Sequence, residues 1–345
     1  MLHKHWCHNV SALVANGLVL SFNSAKIASV MTPASVQNNN RLVVFGEFFI
    51  DLVFFDLPRV PRLGEEVKTT SFGMFPGGGI ATTALVASHL GTPTRIVTRV
   101  GRDMHASPVW RKLAQSGISM AGCVFDPNLP TAVTVCAAFD GDRMMITHDT
   151  INRNLEKLLM RATAQKQLQS ATHLHLACSL WPIHKWAPVV RKLRRLGLTL
   201  STDIGWNPEA LQSPQLPSLL RNFEFVLPNE AEAKAMTGER SVEAAARKLA
   251  RWVRMPVVKL GQAGSLTVRD GKIRRIGSIR VRAVDATGSG DAFNGGFLHG
   301  YLAGWPLEEC MRAGNVCGAL AASQAGGSSS IPTPKKLQDL MKTLH

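Results

Sequence analysis

"DATGSGDAFNGGF", residues 285–297, sets two aspartates, a threonine, a serine and four glycines directly before an apolar helical stretch. Glycine at this density works against regular structure, so the turn must serve something that needs a close backbone approach. A helix is expected to begin near Asp291 and to run through Ala292–Leu302. The start of a helix presents unpaired N–H groups and the positive end of its dipole. Gly288, Ser289 and Gly290 therefore form a candidate oxyanion cradle, with Asp291 the one side chain aimed into the same space. A carboxylate beside an anion cradle suits phosphoryl transfer to a hydroxyl. The acid accepts the hydroxyl proton while the N–H groups take charge on the transferring phosphoryl. Aspartate is also a good N-cap, and this stretch alone leaves the two roles nearly balanced.

Two familiar phosphate motifs are excluded. No GxxxxGK[ST] occurs, because Gly271-Lys272 is followed by Ile273. No GxGxxG occurs either: Phe293 stands where the third glycine belongs after Gly288 and Gly290, and Thr82 does so after Gly77 and Gly79. A P-loop enzyme or a Rossmann dehydrogenase is therefore not expected.

Outward from this loop the chain alternates strand-like and helix-like segments. "RLVVFG" opens the fold as a buried, β-branched strand from Arg41. "ATTALVASHLG" and "HASPVWRKLAQSG" read as helices closed by Gly91 and Gly117. "TAVTVCAAFDGDRMMITHD" reads as a hairpin about Asp140-Gly141-Asp142. From "THLHLAC" to "MPVVKLG" strands and helices alternate, which implies βα units and a parallel sheet. No linker splits the chain, and no repeat of 20–50 residues is visible.

Composition narrows the class. The chain has 345 residues, 45% hydrophobic and 18% charged, enough for a large core. Net charge is +15, with basic clusters at Arg191–Arg195 and Arg274–Arg282. These carry no interleaved aromatics, so solvated helix faces and strand edges are expected, with no nucleic-acid partner. No run of 18 apolar residues argues for a membrane span. The six cysteines form no CxxC pair and read as reduced thiols of a cytoplasmic protein. Residues 1–40 contain no acidic residue and read as a poorly ordered N-terminal extension, with Met31 a candidate start; the cluster His3, His5, Cys7, His8 is a weak metal candidate.

Taken together, these segments resemble the ribokinase-like, or PfkB, family of carbohydrate kinases, over about residues 41–335. "DATGSGD" is similar to the family's D-x-T-G-A-G-D signature, with Ala286 and Ser289 as small departures. The resemblance implies that Asp291 is the catalytic base and that Gly288–Gly290 line the anion hole. "PNEAE" resembles the family's N-x-x-E motif, implying that Asn229 and Glu232 organise Mg²⁺ and phosphate, the metal through water. Read alone, that motif is better explained as a helix start with acidic first-turn residues. "VVKLGQAGS" resembles the turn that lines the nucleotide, implicating Lys259, Gly261 and Gly264, and Asn315 is the candidate beside adenine.

At the sugar end, "GEFFID" maps the acceptor-holding aspartate to Asp51. "FPGGGIATTALVASHLG" maps Gly77, Gly78 and Thr82, where Thr82 replaces the usual asparagine and loses its paired donor and acceptor. Asp285, Thr287 and Ser330 are the candidates for a monovalent cation, K⁺ by resemblance. The implied fold is α/β: a three-layer α/β/α core with a mostly parallel central sheet, carrying a small β-sheet lid from about 52–76 and 122–149. The kinase domain would span 41–345, and a homodimer would form through the lid. The implied activity is an ATP- and Mg²⁺-dependent sugar kinase. Alternatives are a nucleoside kinase, for which Phe54, Phe55, Phe72 and Phe75 could supply an apolar pocket, and a non-catalytic sugar- or nucleotide-binding regulator.

Overall fold

The computed structural model describes residues 42–344 apart from 104–105, 140–141, 162–167, 169–170, 285 and 325–329. The 1–40 extension, its His/Cys cluster, Asp285 and Asp140-Gly141 of the expected turn lie outside the described residues. The chain divides into units 1–37 and 38–345, and the second unit holds every described element.

Fourteen strands are described. They are β1 Leu42–Gly46, β2 Phe49–Phe55, β3 Ser71–Gly77, β4 Thr94–Val97, β5 Arg99–Gly101, β6 Val124–Asp126, β7 Ala132–Phe139, β8 Asp142–His148, β9 His173–Ala177, β10 Thr199–Asp203, β11 Phe225–Val226, β12 Met255–Lys259, β13 Ser265–Arg269 and β14 Lys272–Ile276. Eight of them build the central sheet in the order β14-β13-β12-β11-β10-β9-β1-β4. The pairs from β4 to β12 are parallel, and only β13 and β14 join antiparallel at one edge.

The parallel strands are buried on both faces, as their runs of apolar residues require. In β1, Val43 and Phe45 enter one core with Leu174, Leu176, Trp186 and Leu200. Leu42 and Val44 enter the other, with Ile80, Phe225, Phe293 and Phe297. The period of two thus places helices on both faces and gives three layers. Strand β9, "HLHLA", buries two histidines completely. Both stay neutral, because burial pushes His173 down to about 3 and His175 to about 4. Ser201 bridges them, at 2.7 Å to His173 Nε2 and 2.8 Å to His175 Nδ1, while His175 Nε2 is left without a partner among the described residues.

A separate four-stranded sheet, β3-β2-β7-β8, contains the expected hairpin, with Val133 opposite His148. Val124–Asp126 does not join it. That strand pairs with Arg99–Gly101 in a two-stranded ribbon. The basic clusters take the positions expected of solvated edges. Lys192, Arg194 and Arg195 sit in the last turn of the Ile183–Arg195 helix, where cations suit the dipole. Arg274 and Arg275 lie on edge strand β14, where charge discourages further strand pairing. Among the described residues no helix is long and apolar enough to cross a membrane, and the five described cysteines are free.

Candidate active site

Strands β1, β9, β10 and β12 all end on one side of the central sheet, and a cleft of about 570 Å³ opens there. Its far wall is the start of the Ser289–Leu302 helix. Gly288, at φ 70°, turns the chain into that helix and is its N-cap, with no side-chain cap bond. Asp291 is therefore not a cap: it stands in the first turn and lines the cleft with Ser289 and Gly290. Ser289 Oγ donates to the Ala286 carbonyl (2.8 Å) and so ties down the approach to the helix.

Asp291 is held where a proton acceptor is useful. Burial, reinforced by the negative charges of Asp203, Glu232 and Asp51 and opposed by Lys259, pushes its carboxyl up to about 7. Thr83 Oγ donates to its backbone carbonyl (3.1 Å). Gly79 makes room for it, since a methyl there would come within 2.8 Å of Asp291 Oδ1.

The neighbouring charges form a network that no local sequence pattern shows. Lys259 Nζ, at the end of β12, donates to Asp203 Oδ2 at 2.5 Å, and Asn294 Nδ2 donates to the same oxygen at 2.7 Å. Burial disfavours the charged form of Asp203, but the Lys259 charge and these hydrogen bonds outweigh it and hold the carboxyl below its ordinary value. Lys259 is likewise buried, and Asp203 and Glu232 keep it charged. The expected phosphate-facing lysine is thus an ion-paired one that also lies over Gly290, 3.2 Å from where a Cβ would stand.

Asn229 and Glu232 form the helix start read from the sequence and also stand at the cleft. They form a reciprocal capping box: Glu232 N–H donates to Asn229 Oδ1 (2.9 Å) and Asn229 N–H to Glu232 Oε2 (2.8 Å). Both also line the cleft, and Glu232 is pushed up by burial and then by Asp203. Gly261, Gly264 and Asn315 line the cleft as well. The two amide hydrogens of Asn315 go to the carbonyls of Ile276 (3.0 Å) and Gly277 (2.9 Å), so Asn315 pins the exit of β14.

The acceptor-end residues lie beside the cleft rather than in its lining, near enough for the Asp51 charge to be felt at Asp291. Asp51 lies on β2 opposite Phe75, with its carboxylate against Gly77, and Thr82 is buried within the Gly79–His89 helix. Neither they nor Gly77, Gly78, Gly288, Thr287 or Ser330 are among the residues lining the cleft. Glu47 does line it, directly after β1, a position that the sequence reading passes over in favour of Asp51 in "GEFFID". Burial pushes Glu47 up to about 7, against a hydrogen bond from Ser179 N–H (3.2 Å) and with some repulsion from Asp149. Among the described residues no three His, Cys, Asp or Glu groups converge as a direct metal site.

A partly buried acid of near-neutral pKa at a helix N-terminus, over a cleft at the carboxyl ends of a parallel sheet, has the features of a candidate acid–base site. The pfkB family carbohydrate kinase model matches residues 39–334, so the chain belongs to that family. It is 25% identical over 310 residues to a ribokinase of Haemophilus influenzae, covering 87% of this chain and 98% of the relative. It is 29% identical over 279 residues to a cytidine kinase of Thermococcus kodakarensis, covering 79% and 92%. The solved structure of Arabidopsis thaliana ribokinase complexed with ribose and ATP superposes with a TM-score of 0.76 at 25% identity, covering 88% of this chain and 99% of that one.

Proposed function

We propose that the protein is an ATP-dependent sugar kinase in which Asp291 is the general base. The observation that carries this is the partly buried Asp291 carboxyl, raised to about 7, in the first turn of a helix capped by glycine at the cleft. The acceptor hydroxyl gives its proton to Asp291 as its oxygen bonds to the γ-phosphorus. The bond from that phosphorus to the β-bridging oxygen breaks, and ADP leaves with the electron pair. The N–H groups of Gly290 and Asp291 would face the developing charge, whereas that of Ser289 donates to the Ala286 carbonyl (3.2 Å). Lys259 tunes the base rather than the phosphate alone, since it feels the charges of both Asp203 and Asp291.

Asp51, brought down by β2, and the Gly77–Gly79 turn would hold the sugar, and the nucleotide would lie along Gly261, Gly264 and Asn315. The donor set fits a Mg²⁺ held mainly by phosphates and water: Glu232 and Asp203 approach the cleft without forming a direct cluster. When bound, the metal would neutralise phosphate charge, and Glu232 would hold it through water. Thr287 and Ser330 remain the candidates for K⁺ activation, which a rate equal in K⁺ and in a bulky organic cation would refute. The four-stranded sheet would act as a lid that excludes water from the reaction, and its exposed apolar face would meet a second copy. A nucleoside acceptor is the second reading, favoured by the paired rings Phe54–Phe72 and Phe55–Phe75 on that sheet.

The test is ADP release with Mg-ATP and K⁺ across pentoses, hexoses, sugar acids, sugar phosphates and nucleosides. Asp291→Asn should lower kcat by about 10²–10⁴-fold with ATP binding nearly intact. Turnover close to the parent's would refute the assignment of the base.

A further inference from the structure

Four polar side chains run in file through the core below the cleft. In the parallel pairing of β9 with β10, Thr199 stands beside His173, Ser201 beside His175 and Asp203 beside Ala177, so all six share one face of the sheet. His173, His175 and Ser201 are fully buried. Contacts join the file in order: Thr199 Oγ1 to His173 Nδ1 (2.8 Å), His173 Nε2 to Ser201 Oγ (2.7 Å) and Ser201 Oγ to His175 Nδ1 (2.8 Å). Around it the layer is apolar, with the rings of Phe225 and Tyr301 against His173. Next along the face come Ala177 and Asp203, which line the cleft, and Asp203 Oδ2 accepts from Lys259 Nζ at 2.5 Å.

Hydrogen-bond accounting gives this column a direction. Thr199 Oγ1 lies 2.9 Å from the Thr172 carbonyl, which can only accept, so the single hydroxyl hydrogen of Thr199 is used there. Thr199 Oγ1 then accepts from His173 Nδ1–H. Burial keeps both imidazoles neutral, and a neutral ring carries one N–H. His173 Nε2 is therefore an acceptor, and Ser201 donates to it. That uses the only hydrogen of Ser201, whose oxygen accepts from His175 Nδ1–H. His175 is left with a bare Nε2, the one ring nitrogen of the pair that has no partner among the described residues.

The charges that bear on His175 are those of Asp203 and Lys259. Lys259 has three hydrogens for Asp203 Oδ2 and, at 3.5 Å, Asn294 Oδ1. It also feels Glu232 and Asp291, and Asp291 feels Asp51 besides. A nitrogen lone pair near an ammonium favours the ammonium, whereas an N–H there would compete with Lys259 for Asp203.

We propose that His175 is a positioning residue for the reaction: the Thr199–His173–Ser201 chain fixes it with hydrogen on Nδ1, and its bare Nε2 electrostatically holds the Lys259 ammonium between Asp203 and the base Asp291. The inference rests on the kinase reading of Asp291. Ser201, remote from every reacting atom, is the lock on this arrangement.

The test uses the full chain as parent, Ser201→Ala, Ser201→Thr and His175→Phe. Nitrogen NMR of isotope-labelled histidine in the parent should show His175, identified by the signals missing from His175→Phe, with hydrogen on Nδ1 and none on Nε2. A hydrogen on Nε2 overturns the proposal. The second measurement is the pH profile of kcat/KM with Mg-ATP and the parent's best acceptor. Ser201→Ala removes the lock and His175→Phe the lone pair. Each should loosen Lys259 and move the acid limb to higher pH, with kcat lowered severalfold below about pH 7 and KM for the acceptor little changed. Ser201→Thr keeps the hydroxyl and should keep the parent's limb, although it crowds the core. The position of the limb does not depend on how much protein is folded, and the two Ser201 variants decide the matter if His175→Phe does not fold. A limb that stays put in Ser201→Ala, or moves as far in Ser201→Thr, overturns the proposal. A parent that turns over no acceptor refutes the kinase reading, and the positioning role with it, whatever the nitrogen spectrum shows.

Discussion

Asp291 can take a proton only when ionised, and its carboxyl is pushed up to about 7. If it is the base, kcat/KM should fall below about pH 7 and level off above it. A flat profile between pH 5.5 and 8.5 would contradict its role. The Lys259 charge opposes that rise, so Lys259→Met should move the acid limb to higher pH. The same change strands the buried Asp203 charge and should cost about 3–5 kcal/mol of stability, read from urea unfolding. The raised value also bears on stability. The folded protein keeps a proton on Asp291 up to about 7, whereas the unfolded chain releases it near the ordinary 3.8. The folded state therefore binds more protons between those values, and this contribution declines as pH rises through that window. Asp291→Asn removes the burden of the buried charge, so the inactive variant should melt above the parent at pH 8 by calorimetry.

The elements show how far local pattern reached. The 285–297 loop was legible because its glycines, cradle and acid are consecutive, and the Asn229–Glu232 box because a capping motif is local. Asp203 closes its strand with nothing local to mark it: its partners Lys259 and Asn294 lie 56 and 91 residues away, and periodicity reports faces rather than pairings across a sheet. Glu47 was hidden in an apolar run whose other acid drew attention. The glycine turn before the Gly79–His89 helix separates two kinds of constraint. A methyl at Gly77 would meet the Asp51 carboxylate at 2.3 Å, and that side chain can move aside. At Gly78, φ is 78° and a methyl would strike the Glu47 carbonyl at 2.2 Å, which is backbone. Gly77→Ala should therefore fold with near-parent thermal stability but show a raised KM for the acceptor, whereas Gly78→Ala should lower the melting temperature markedly. Equal effects on stability would defeat this distinction.

At the scale of the whole molecule, the four-stranded sheet leaves Phe72, Met145 and Ile146 at 56%, 54% and 65% exposure, large apolar side chains of the kind that mark contact surfaces. Light scattering should report a dimer, and Ile146→Lys should shift it toward monomer. A parent monomer at tens of micromolar would refute the dimer. The sheet meets the core where Asn152 grips Phe48 through both its backbone groups (3.4 and 3.3 Å) and at the Gly77–Gly79 turn. The wall that carries Asp291 is built otherwise. In the Ser289–Leu302 helix, a methyl at Gly295 would lie 2.7 Å from the Thr83 carbonyl, and one at Gly296 2.7 Å from the Ala313 carbonyl. That helix is wedged between its two neighbours with no spare volume. The two halves of the site are therefore unequally open to change over evolutionary time. A library randomised across β2, β3 and the Glu47 corner should yield new acceptor preferences, while one randomised across residues 292–300 should yield mostly insoluble chains.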